Sequence, residues 1–143
     1  MSTFLHVGCG PKHKDQTTRA FNSSEWTELR LDIKHLYPHE VPLALAEFKR
    51  VLKPDGFVVI TCPDLQSVCA LIAEDKLTDP AYTSPAGPSA PLDILYGHRP
   101  AMARGNLYMA HRCGFTQKVL IGTLRASGFV AVAAKQRGCV KTV

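Results

Sequence analysis

The sequence predicts an α/β fold in which strands alternate with crossover helices around one sheet. Three observations carry that expectation. An apolar run at residues 4–7 stops at Gly8-Cys9-Gly10-Pro11, as a buried strand does on entering a tight turn. Apolar residues at helical spacing (Val41, Leu45, Phe48, Val51, Leu52) lead into Pro54-Asp55-Gly56 and then into a β-branched run at 57–61. Thr116 precedes a second helical pattern through Val119, Leu120 and Leu124, which Ser127-Gly128 ends before the apolar run 129–134.

The elements follow in order. Residues 4–7 form the first strand, and the polar stretch after the glycine turn has no apolar period. Leu29, Leu31 and Ile33 alternate with Arg30, Asp32 and Lys34, which gives a short strand ending near Asp32. Pro38 or Pro42 starts the helix over 41–52, because the first helical turn does not need the missing amide donor. Residues 57–61 are a buried strand closed by Cys62-Pro63. Asp64 caps a helix through Leu65, Val68, Cys69, Leu71 and Ile72. Residues 78–106 are broken by Pro80, Pro85, Pro88, Pro91 and Pro100, and read as a long loop outside the core. A helix after Thr116 and a strand at 129–134 complete the chain.

The chain has 143 residues, 45% hydrophobic and 20% charged, which suits one globular domain spanning 1–143. Its formal charge of +5 favours acidic partners. The basic residues are dispersed and do not alternate with aromatic ones, which argues against a nucleic-acid stacking platform. The five cysteines (Cys9, Cys62, Cys69, Cys113 and Cys139) include no Cys-x-x-Cys pair, so reduced thiols in a cytoplasmic protein are expected and a metal site is not. No apolar run is long enough to span a membrane.

The chemical argument begins at Gly8-Cys9-Gly10. A glycine turn after a strand lets the backbone come close to a ligand, and can hold an adenosine-containing cofactor at a sheet edge. Asp32 follows the second strand, where a carboxylate can accept hydrogen bonds from ribose hydroxyls. A plain turn and a solvent-facing edge carboxylate are the simpler readings of each feature alone. Together they fit one adenosine. Catalytic residues cannot be assigned from spacing. His35, Tyr37 and His39 are candidates to orient or deprotonate a substrate, with helix capping or packing as the simpler role, and Tyr108 and His111 are candidates to line its pocket, with packing or surface placement as the simpler role. Arg99, Arg104 and Arg112 could meet an acidic substrate. Cys9 has no His-Asp partner at a predictable spacing.

These residues, and above all Glu47-Phe48-Lys49-Arg50-Val51-Leu52-Lys53-Pro54-Asp55-Gly56 with the strand after it, resemble the class I S-adenosylmethionine-dependent methyltransferases. The resemblance implies a Rossmann-like methyltransferase sheet with crossover helices. It implies S-adenosyl-L-methionine as cofactor, with Gly8, Cys9 and Gly10 at the methionine part and Asp32 at the ribose. It also implies methyl transfer to an unidentified acceptor, a small molecule or a saccharide-related substrate. Between the matched blocks only Ile33 and Lys34 stand where the family has its strand 3 to strand 4 region, so the sheet is expected to be shortened. Unpaired strands would then favour self-association. The alternative function is a non-catalytic interaction protein derived from a shortened methyltransferase domain.

Overall fold

The computed structural model describes residues 3–7, 27–84, 87–137 and 140–142. In chain order the elements are β1 (Thr3–Val7), β2 (Thr27–Leu31), a 3-10 turn (Ile33–His35), α1 (Val41–Val51), β3 (Phe57–Pro63) and α2 (Leu65–Ala73). Then come β4 (Tyr82–Ser84), β5 (Gly87–Ser89), α3 (Pro91–Tyr96), α4 (Arg99–Ala103), a 3-10 turn (Leu107–Met109), α5 (Gln117–Ala126), β6 (Lys135–Arg137) and β7 (Val140–Thr142).

The main sheet has the order β2-β1-β3-β7-β6, and β4 and β5 form a separate hairpin. β1 runs parallel to both neighbours, with Leu5 opposite Leu29 on one side and Val58 on the other. β3 then meets β7 antiparallel through Thr61–Pro63, and β7 pairs antiparallel with β6. The chain passes from β2 to β3 through α1, and parallel strands require such a crossover.

α1 presents Val41, Leu45 and Phe48 inward at helical spacing, while Leu43, Glu47 and Arg50 stay exposed. Its buried face meets Ile60 and Cys62 of β3, and Leu120 and Leu124 of α5. Ile33, Leu45 and Ile60 are fully buried, so this is where apolar burial stabilises the chain most. Ile33 reaches the core because Asp32 caps the 3-10 turn, its carboxylate accepting from the Lys34 amide at 3.3 Å.

This is not the α/β, Rossmann-like methyltransferase sheet, shortened and with crossover helices, that the sequence led us to expect. The sheet is small and open. Parallel pairing is confined to β2, β1 and β3, and the two remaining strands run antiparallel. Among the described residues the α-helices hold more residues than the short strands. A large doubly wound sheet needs further parallel strands, and between Leu31 and Val41 the chain supplies only a capped turn and a bend. The identification with the methyltransferase family falls with that sheet.

Two local expectations also change. The stretch 78–106 contributes to the core instead of looping outside it. Pro91 and Pro100 occupy first turns of α3 and α4, where a missing amide is harmless, so residues that read as breaks are helix starts. Ala90, Pro91 and Ile94 are buried beside α2. The expected strand at 129–134 does not form. Ala131 takes a left-handed backbone, with φ of 54°, which interrupts an extended run, and pairing begins only at Lys135.

Candidate functional site

β3 separates two candidate regions, one at each end. At its carboxyl end the structure gathers residues that are distant in sequence. Asp32 is largely buried. It pairs with Lys34 Nζ at 3.2 Å and approaches His35 Nε2 at 3.6 Å. His35 is 5% exposed, and its Nδ1 lies 3.0 Å from the Ala110 carbonyl. A carbonyl only accepts, so Nδ1 carries the proton. His111 is held in the same way, with Nδ1 2.8 Å from the Ile94 carbonyl. Tyr108 stacks on His35 at 4.9 Å between ring centroids, and His111 meets His35 edge-on at 5.2 Å.

Outside these three rings, Arg112 lies 4.6 Å above the Tyr37 ring, and His39 stacks on Tyr37 at 5.7 Å. The Arg112 guanidinium also donates to the His35 carbonyl at 3.2 Å, and its amide donates to the Lys34 carbonyl at 2.8 Å. Gly97 makes this approach possible. It bridges Ala110, its φ is 106°, and a Cβ there would strike the Met109 carbonyl oxygen.

The electrostatics of this end oppose thiol chemistry, and acid–base chemistry at His111, near neutral pH. Burial, with help from nearby Lys34, pushes the His111 imidazole down to about 4, so it is neutral. Burial pushes the Cys62 thiol up to about 12, with Asp32 adding to the effect. Cys113 rises to about 11 for the same two reasons, and its thiol donates to the Ile33 carbonyl at 3.1 Å. Thiols so protonated are poor nucleophiles. The cavity among Lys34, Cys62, His111 and Cys113 is about 10 Å³, room for roughly one water. His35, Tyr37, His39, Tyr108, His111 and Arg112 thus come together as a latch, buried at His35 and exposed at Tyr37 and Tyr108, tying residues 96–113 to the turn after β2. Arg99 lies apart, donating to Asp93 at 2.6 Å, and Arg104 ends α4.

The amino end of β3 is open. A groove of about 550 Å³ lies between Phe57–Val59 on one side and residues 129–133 on the other. Leu52 and Leu124 continue its apolar wall, and Lys49 and Lys53 contribute the charged part. Leu52, Val58, Phe129 and Val132 also pack against the main core, so the groove is carved into the edge of the hydrophobic layer. No backbone hydrogen bond joins 57–59 to 129–133 among the described residues. The volume lies within the range of small-molecule sites, and the lining is mainly apolar with few polar groups. The sequence reading missed this groove because it placed a strand at 129–134. Gly128 was the available signal, but the left-handed Ala131 was not legible.

Of the four residues assigned to the cofactor, Asp32 lies in the latch, and Gly8, Cys9 and Gly10 lie outside the described residues. Comparison with protein-family models, with curated proteins and with solved structures finds no match to this chain. S-adenosyl-L-methionine as cofactor, and methyl transfer as function, are corrected here. Both rested on a Rossmann-type sheet that does not form, and among the described residues no cofactor-coordinating cluster replaces it. Among the described residues no group of three or more His, Cys, Asp or Glu side chains is placed to hold a metal. The alternative function, an interaction protein derived from a shortened methyltransferase domain, loses its premise in the same way. Among the described residues no helix is long and apolar enough to cross a membrane.

Proposed function

We propose that this chain is a small-molecule binding protein whose site is the groove at the amino end of β3. The observation that carries the reading is the groove itself, about 550 Å³ with apolar walls continuous with the core. The latch end supports it by contrast, since a space of about one water admits no ligand of that size. An apolar ligand would cover Phe129 and Val132 and remove water from a surface that folding leaves half-covered. A cytoplasmic setting suits the free thiols of Cys62, Cys69 and Cys113. Self-association is a second part of the reading, because β2 and β6 are the edge strands among the described residues.

The test uses N-phenyl-1-naphthylamine, a neutral apolar probe whose fluorescence rises on leaving water. Saturable binding to the folded chain is expected, weakened at least tenfold by Ala133→Trp, which places an indole on the groove lining. No saturable signal from folded protein, or binding indifferent to Ala133→Trp, would sink the reading. Light scattering across protein concentrations checks self-association, and an invariant monomer would remove that part.

A further inference from the structure

α1 ends beside the groove, and its last turn carries two cations that behave differently. Arg50 is spent locally, donating to both carboxylate oxygens of Glu47 at 2.7 and 2.6 Å. Lys49 bends the other way. Its side chain lies across the turn at Gly128, where a Cβ would strike the Lys49 ammonium and meet its Cε at 3.4 Å. A larger residue would have to push the flexible Lys49 tip aside, and the φ of 83° there favours glycine. Lys49 makes no ion pair with the described residues. Its ammonium therefore stands where the α1 and α5 termini meet the groove lining.

The sign of the field at this point can be estimated. A helix C-terminus carries about half a negative charge. Lys49 supplies a full positive charge at the end of α1, and Arg125 does so in the last turn of α5. Set against the two helix ends, these cations leave the balance at the Gly128 turn positive.

We infer that the ligand of this groove is a single-chain amphiphile with an anionic head. Its chain lies along Leu52, Val58, Phe129 and Val132, and its head meets Lys49 at the Gly128 turn. This inference rests on the groove reading above and adds the chemical class of ligand. A carboxylate head would gain a charge-assisted hydrogen bond that an alcohol of equal chain length cannot match.

Calorimetric titration with decanoate, decanol and decylammonium, each kept monomeric, tests it. Decanoate is expected to bind at least tenfold tighter than decanol, and decylammonium weakest. Lys49→Gln should bring decanoate down to the affinity of decanol. Arg50→Gln, which removes the same formal charge from a side chain already paired with Glu47, should leave the preference in place. Equal binding of decanoate and decanol by the unaltered chain overturns the inference and leaves the groove reading standing. So does a preference that survives Lys49→Gln. If neither decanoate nor decanol binds, the groove reading fails and the inference with it.

Discussion

The two ends of β3, a strand of seven residues, are opposite in character. At the carboxyl end, Cys62 is buried, and His35, His111 and Cys113 fill the space above it, each with a named backbone partner. At the amino end, Phe57–Val59 border a groove that residues 129–133 approach without pairing. The difference teaches where polar side chains help a fold. Buried imidazoles and thiols are tolerated when each donor finds a carbonyl, and they then lock distant segments together. An apolar edge has no such directional contacts, so it stays open until something covers it.

The largest effect that can break this comparison is a core deletion at the closed end. Ile33→Ala should cost about 3 kcal/mol, since Ile33 is fully buried beneath the latch. Val130→Ala beside the groove should change stability by less than about 0.5 kcal/mol, because Val130 is 89% exposed. Urea unfolding of the two variants measures both, and equal losses would erase the contrast.

Thiol chemistry sharpens the same comparison. Cys62 and Cys113 should react with a disulfide reagent at neutral pH at least tenfold more slowly than exposed Cys69. Peptide mapping by mass spectrometry assigns the sites. Rapid modification of Cys113 would show that the latch opens readily.

Gly128→Ala should cost about 1 to 2 kcal/mol from the left-handed backbone alone, and it would also displace the Lys49 ammonium. A neutral outcome in thermal unfolding would mean that the turn relaxes freely.

The smallest expected effect is on pH dependence. His111 is held neutral in the fold, at about 4, below the ordinary histidine value of 6.5. The unfolded chain therefore takes up that proton first as the pH falls. The stability tied to His111 is fully present above about 6.5, declines between 6.5 and 4, and levels off below. His111→Phe should flatten the urea midpoint across that window. An unchanged slope would show that His111 does not sense pH as described.

Much of the local structure was legible in advance. The helix at 41–51, the Pro54-Asp55-Gly56 turn, the strand that became β3 and the caps at Asp64 and Thr116 all follow from short-range rules. Val41, Leu45 and Phe48 announced their buried face by spacing alone. The aromatic and histidine candidates His35, Tyr37 and His39, and separately Tyr108 and His111, could be named from the sequence, but their meeting could not. Nor was their role legible, because pocket lining and packing use the same residue types. The prolines at 91 and 100 misled because a proline ends one segment and starts another with equal ease, and only the buried Ala90 and Ile94 distinguish the cases.

What the sequence determined by itself is the set of elements whose hydrogen bonds close within a few residues: α1 and α5 with the Thr116 cap and the Gly128 stop. What only the tertiary structure decided is the pairing between distant segments. β1 could lie beside β3, residues 129–134 could pair or stand off, and Lys49 could turn to solvent or across Gly128. Each choice depends on which surfaces meet once the core of Ile33, Leu45, Ile60 and Leu120 has closed. Packing is a property of volumes brought together in space, and the order of residues along the chain constrains it only weakly.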